Sequence, residues 1–309
     1  MPTTGTTARG STKPPDPLAG GAPLTRVRRI ARFRYVIADV FTGEPFTGNQ
    51  LAVFTDARQI PENRLQDIAR EMNFSETVFV LPSEGDGHVR IRIFTPATEL
   101  PFAGHPTLGC AFVLAGPLQL TEIRLETGVG VVPVQVEREG ARIVFGWMVQ
   151  PVPTWQPYAD EADALKALGI AGSELPVEVY ENGPRFAYFR LPSEDAVAAV
   201  DPDQAALKKL GTIGFATFAG VGTTWKTRMF GPGLGVNEDP ATGSAAGPLG
   251  VHLLRHGLIG SGQEIELTQG VEIKRPSKLH VRVTGSPDEI ERVDVGGEAV
   301  IVAKGELQL

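Results

Sequence analysis

The chain carries one pattern twice, and that repetition limits what it can fold into more than any other feature. Arg92-Ile93-Phe94-Thr95-Pro96 leads to Glu99-Leu100-Pro101-Phe102-Ala103-Gly104-His105, and Arg228-Met229-Phe230-Gly231-Pro232 leads to Glu238-Asp239-Pro240-Ala241-Thr242-Gly243-Ser244. Each copy reads as a strand, a loop with proline, Glu-x-Pro-x-x-Gly, and then a run of small and apolar residues. In the first copy that run, Thr107 to Ala115, is apolar on all sides, as expected of a helix buried inside its own lobe rather than lying on a surface. The second leads through Ala245 and Gly247 into Val251-His252-Leu253-Leu254. Pro240 and the acids Glu238 and Asp239 suit a helix start. The N–H groups of Thr242, Gly243, Ser244 and Ala245 are then left free as a site for an anion such as a substrate carboxylate. The expectation is an α+β chain of two similar lobes related by a pseudo-twofold repeat. Each lobe is a strand-rich roll around a central buried helix, and both helix N-termini aim at one shared cleft.

With 309 residues, 42% hydrophobic and 21% charged, the chain has material for one large or two medium domains. A net charge of -7 argues against nucleic acid or an anionic membrane as the main partner. The single cysteine, Cys110, falls in the first buried helix, where it reads as core filler rather than nucleophile, and a reducing compartment, the cytoplasm, is its simplest home. Residues 1–30 are rich in Thr, Gly, Pro and Ser with no long apolar run, and read as a disordered tail. The arginines at 26, 28, 29, 32 and 34 lack the amphipathic period of a transit peptide and read as a solvated edge. The first lobe is then 31–147, with the terminal strand 298–309 a candidate to return to it, and the second is 148–297. Pro151, Pro153 and Pro157 mark the crossover.

Within the first lobe, Asn49 sits in turn chemistry between two strands. A helix over Pro61 to Glu71 precedes the strand Ser75-Glu76-Thr77-Val78-Phe79-Val80. Glu76 opens that strand where an apolar residue would serve a core better; half-buried, such a carboxyl would have its pKa raised toward the range useful for moving a proton. Its alternative is an ordinary solvated acid at a strand end. His105 occupies the place in the repeat that Ser244 holds in the other copy, so both should face the cleft. The spacing of His252 and His256 comes without an HExxH acid or a cysteine partner; both read as helix-face residues, and no metal is expected. Gly231, Gly233 and Gly235 miss the spacing of a dinucleotide fingerprint, and the chain has neither a phosphate-binding loop nor a Gly-x-Ser-x-Gly elbow.

Four stretches, DVFTGEPFTGNQLAVF (39–54), MNFSETVFV (72–80), FTPATELPFAGHPTLG (94–109) and NEDPATGSAAG (237–247), resemble the PhzF family of phenazine-biosynthesis isomerases and relatives with the diaminopimelate epimerase fold. The resemblance runs from Arg34 to the C-terminus. It implies two rolls with the active site between them, Glu76 as the acid that shuttles a proton, and His105 and Asp239 as the groups that support it and hold the substrate. Ser75, Gly104, Gly243 and Ser244 would bind substrate. It also implies a homodimer and isomerisation of trans-2,3-dihydro-3-hydroxyanthranilate without cofactor. Related epimerases and proline racemases use two cysteines on opposite faces of the substrate; here Ala103 and Thr242 stand in those places, which favours a proton shift by one base over stereoinversion.

Overall fold

The computed structural model describes residues 1–5 and 31–309. The tail expected over 1–30 therefore lies mostly outside the described residues. Arg32 and Arg34 lie within them, on the first strand, where both approach Glu306.

The first half of the chain lays down β1 (Arg32–Val40), β2 (Asn49–Phe54), α1 (Leu65–Met72), β3 (Glu76–Pro82), β4 (Val89–Phe94) and β5 (Glu99–Leu100). Then come α2 (Gly104–Leu118), β6 (Glu122–Thr127), β7 (Gly130–Glu139), β8 (Arg142–Gln150) and β9 (Thr154–Pro157). The second half lays down α3 (Glu161–Leu168), β10 (Glu178–Glu181), β11 (Arg185–Arg190), α4 (Glu194–Ala198), α5 (Gln204–Lys209), β12 (Gly214–Val221), β13 (Thr224–Gly231) and β14 (Val236–Asp239). It closes with α6 (Gly243–Arg255), β15 (Glu264–Gln269), β16 (Ser277–Gly285), β17 (Ile290–Gly297) and β18 (Ala299–Gln308).

Pairing follows one order in both halves. β1 to β4 pair antiparallel, parallel, antiparallel, and β4 then takes β5 antiparallel and β6 parallel before the meander β6–β7–β8. β10 to β13 repeat that sequence of senses, and β13 takes β14 and β15 before the meander β15–β16–β17. β8 pairs with β17, which joins the halves into one sheet. Each half also hands its last strand to the other: β9 pairs with β10, and β18 pairs with β1. The two copies of the sequence pattern make matching contacts. Arg92 forks onto Glu99 and lies over Phe94, and Arg228 forks onto Glu238 and lies over Phe230. A planar guanidinium satisfies carboxylate and aromatic face together, which fixes the loop entering each central helix.

The strands wrap α2 and α6. Leu108, Cys110, Ala111 and Ala115 of α2 and Val251 and Leu253 of α6 are fully buried, in one core with Val40, Leu51, Val134 and Val281. α1 covers a smaller cluster outside the first half, and α3 to α5 cover another outside the second. Among the described residues no helix is long and apolar enough to cross a membrane.

Helix α6 contains Pro248, which cannot donate to the carbonyl of Ser244. Asn182 Nδ2 makes up the loss by donating to that carbonyl at 3.0 Å, while Gln150 Nε2 donates to the Gly243 carbonyl at 2.8 Å and the Tyr188 hydroxyl to the Ala245 carbonyl at 2.7 Å. Side chains of the surrounding strands thus complete the first turns of a buried helix, as buried backbone groups require. Asn182→Leu is expected to lower stability by about 1–3 kcal/mol through the orphaned carbonyl. In a Pro248→Ala background, where residue 248 can donate, the same change is expected to cost less, and denaturant unfolding of the four proteins measures the coupling.

Candidate active site

Helices α2 and α6 meet at their N-termini. A Cβ added to Gly104 would stand 2.4 Å from the Gly243 carbonyl carbon and the Ser244 nitrogen, so only glycine allows this approach. The positive ends of two helices therefore face one point, a strong local field for an anion. Around that point stand Glu76 at the head of β3, His105 in the first turn of α2 and Asp239 at the end of β14, only 9%, 2% and 4% exposed. Ser75, half-buried, joins them. The structure thus brings together all seven residues singled out from the sequence. Surface cavities lie elsewhere, among them one of about 440 Å³ beside Phe41 and Lys278 and one of about 920 Å³ beside Tyr35 and Leu114; neither is lined by Glu76, His105 or Asp239.

The acid pair Glu238-Asp239 is split by strand alternation. Glu238 turns to Arg228 and Asp239 turns inward, where both of its oxygens are engaged. Oδ1 accepts from Asn49 Nδ2 at 2.8 Å and from Ser75 Oγ at 3.0 Å, and Oδ2 accepts from Thr242 Oγ1 at 2.6 Å. Gln269 Nε2 in turn donates to Thr242 Oγ1 at 3.0 Å and to the Asp239 carbonyl at 2.8 Å. Burial raises the Asp239 carboxyl above its ordinary value, and the donors from Thr242, Ser75 and Asn49 act against that rise.

Among the described residues none donates to Glu76. Its Oε2 stands 3.4 Å from His105 Nδ1, beyond a good hydrogen bond, and is buried without a partner, as is His105 Nε2. Desolvation first and the charge of Asp239 second push the Glu76 carboxyl well above the ordinary carboxylate range. Burial brings His105 down to about 3, with the backbone of Gln50 partly opposing. The imidazole is therefore neutral, the charge that Glu76 feels is Asp239, and both influences act upward.

Asn49 was expected to hold a turn. It is instead fully buried at the start of β2, and its side chain spans the cleft to Asp239 and to the Ala241 carbonyl, at 2.9 Å. His252, on α6, is fully buried and His256, at its C-cap, is partly exposed; Glu178 Oε2 lies 3.1 Å from a ring nitrogen of each. The three ligand atoms lie within 4.8 Å of one another, but Arg255 Nη1 stands 2.7 Å from the same carboxylate oxygen and Tyr180 Oη 2.8 Å from it. The guanidinium supplies there the positive charge that an ion would bring. Cys110 is wholly buried and its thiol pushed up by burial, the condition of an inert core thiol.

The family model of phenazine biosynthesis-like proteins, PhzC-PhzF, matches residues 38–305. The chain belongs to this family. It is 48% identical over 276 residues to the trans-2,3-dihydro-3-hydroxyanthranilate isomerase of Pseudomonas aeruginosa, covering 89% of this chain and 99% of that one. Among solved structures, the PhzF-family protein of Bacillus anthracis matches with a TM-score of 0.77 at 26% identity, over 90% of this chain and 99% of that one. A hydroxyproline epimerase from Agrobacterium vitis shares the fold, with a TM-score of 0.64 at 11% identity over 91% and 92% of the two chains.

A carboxyl raised by burial destabilises the fold once the unfolded chain can ionise. With Glu76 raised, stability is greatest below the unfolded carboxylate pKa of 4.5 and declines as pH rises from there toward the folded value. Glu76→Gln, which cannot ionise, is expected to stabilise the protein at pH 7 by about 1–3 kcal/mol and to make no difference near pH 4. Thermal melts of the two proteins across that range measure it.

Proposed function

We propose that this chain is a cofactor-independent isomerase that moves a proton on a small carboxylated ring, with trans-2,3-dihydro-3-hydroxyanthranilate as substrate, in phenazine or related secondary metabolism. The observation that carries the proposal is Glu76: a desolvated carboxyl without hydrogen-bond donors, beside a neutral imidazole and a donor-saturated Asp239, in a chain so similar to an isomerase of that name.

In this reading the ring enters when the two helix N-termini part, and its carboxylate rests on the N–H groups of Gly243 and Ser244. Ionised Glu76 takes a proton from the saturated ring carbon that bears the hydroxyl: the C–H bond breaks, an O–H bond forms, and the electron pair spreads through the ring double bonds toward the carboxylate. Glu76 then returns the proton to another carbon on the same face. Nothing is oxidised or reduced, so a positioned acid and base suffice. His105, neutral, presents Nδ1 to Glu76 and steadies it in both protonation states. Gly104 lets the two helix N-termini close on one another once the ring is bound. Ala103 and Thr242 in place of two thiols, with Cys110 sealed in the core, favour this single-base shift over racemisation. A homodimer and a cytoplasmic location complete the reading, on the family resemblance and the lone cysteine.

Conversion of the dihydro-hydroxyanthranilate in heavy water, followed by NMR, tests the assignment. Wild type is expected to turn it over with deuterium entering carbon, and Glu76→Gln to lose about 10²–10⁴ in kcat. A well-folded wild type that leaves the compound untouched overturns it. Because the base must be ionised, the rising limb of kcat/KM against pH is expected above the ordinary carboxylate range. Asp239→Asn, which removes the neighbouring charge, is expected to shift that limb to lower pH.

A further inference from the structure

The two central carboxyl groups are treated unequally, and the residue responsible is one with no chemistry of its own. Asn49 is fully buried, and its amide nitrogen lies within reach of three acceptors: Asp239 Oδ1 at 2.8 Å, the Ala241 carbonyl at 2.9 Å and His105 Nδ1 at 3.2 Å. An amide has two hydrogens. The two shorter contacts take them, and both belong to the second half of the chain, whereas Asn49 belongs to the first. Turning the amide over would set its oxygen against a carboxylate and a carbonyl, so the orientation is fixed. The consequence for His105 is that its Nδ1 is left to Glu76.

The ionisable groups around this point are few. Glu76 and His105 face it from β3 and α2. Asp239 and Glu238 come from β14, and Glu238 is neutralised by Arg228. Thr242 on α6, Ser75 ahead of β3 and Gln269 on β15 contribute only neutral donors and acceptors. Asp239 therefore accepts three hydrogen bonds, two of them from the opposite half, while Glu76 accepts none. Hydrogen bonds to an ionised carboxylate favour that form, and where two carboxyls share a site the one better supplied keeps the charge.

We propose that Asn49 is a positioning residue that holds Asp239 as the fixed anion of the site when the two halves are together, and so leaves the moving proton to Glu76. It deepens the isomerase reading and rests on it for the meaning of the moving proton, but the charge assignment stands on geometry. Ser75 assists from the same side through its 3.0 Å bond to the same oxygen. Assembly and charge are then linked: with the halves apart, Asp239 keeps only Thr242, and the difference between the two carboxyls shrinks.

The test is a titration by carbon-13 NMR of protein labelled at its side-chain carboxyls, the two signals assigned with Glu76→Gln and Asp239→Asn. In wild type Asp239 is expected to ionise at lower pH than Glu76. In Asn49→Leu, close in volume and without donors, the Asp239 midpoint is expected to rise by about one pH unit, the worth of one hydrogen bond to a charge, and that of Glu76 to fall. The rising limb of kcat/KM should move to lower pH in step. Asn49→Ser withdraws the amide with less apolar bulk and is expected to act in the same direction if the leucine variant does not fold. Should either folded variant lose kcat while both midpoints stay where they were, Asn49 is structural only and the inference falls. The carboxyl titration does not need turnover, so a wild type inactive on the hydroxyanthranilate would overturn the isomerase reading while the NMR still decides the role of Asn49.

Discussion

Two buried helices meeting end to end at Gly104 and Gly243 are the constraint on which the rest depends. Helix N-termini repel one another, and each leaves N–H groups that its own turns cannot satisfy. Bringing two of them together is tolerable only where anions and acceptors gather, and Asp239, Glu76 and the carbonyls beside them gather there. The arrangement also explains the wrapping sheets. A helix apolar on every side must be enclosed completely, and the exchange of β9 and β18 between the halves carries that enclosure across the junction.

Enclosure sets the chemistry. Burial alone would keep both carboxyls protonated, and a site with two neutral acids has no base. Donors on Asp239 break the tie. In the proposed reading Asp239 is the fixed charge, and Glu76, buried beside it with no donor among the described residues, is the base. The same lack of donors that suits Glu76 to its proposed role makes it a burden on the fold, an ordinary trade between stability and function at active sites.

The outer parts obey simpler rules. Arg92 and Arg228 satisfy carboxylate and aromatic ring with one flat group, and Asn182 supplies the donor that Pro248 lacks. The Glu178 cluster belongs with these: a carboxylate drawn into the second half and matched by Arg255, Tyr180 and two histidines.

Most of the candidate site was legible because it is carried by local pattern. Glu-x-Pro-x-x-Gly written twice marks two helix starts and a helix apolar all round can only be buried, whereas Glu76, an acid at the head of an apolar strand, stood out from a solvated strand-end acid only through the family resemblance. Helix and strand periods and turn residues act over a few positions, so sequence alone determined most of the elements and the two central helices. The tertiary structure decided what depends on neighbours distant in the chain. Asn49 looks like a turn residue until β2 is set against β14, and the protonation of His105 is open until its burial is known. His252 and His256 read as plain helix-face residues until β10 brings Glu178 to them. Protonation and partnership are properties of an environment, and these environments are assembled from residues far apart in the chain, where no local pattern reaches.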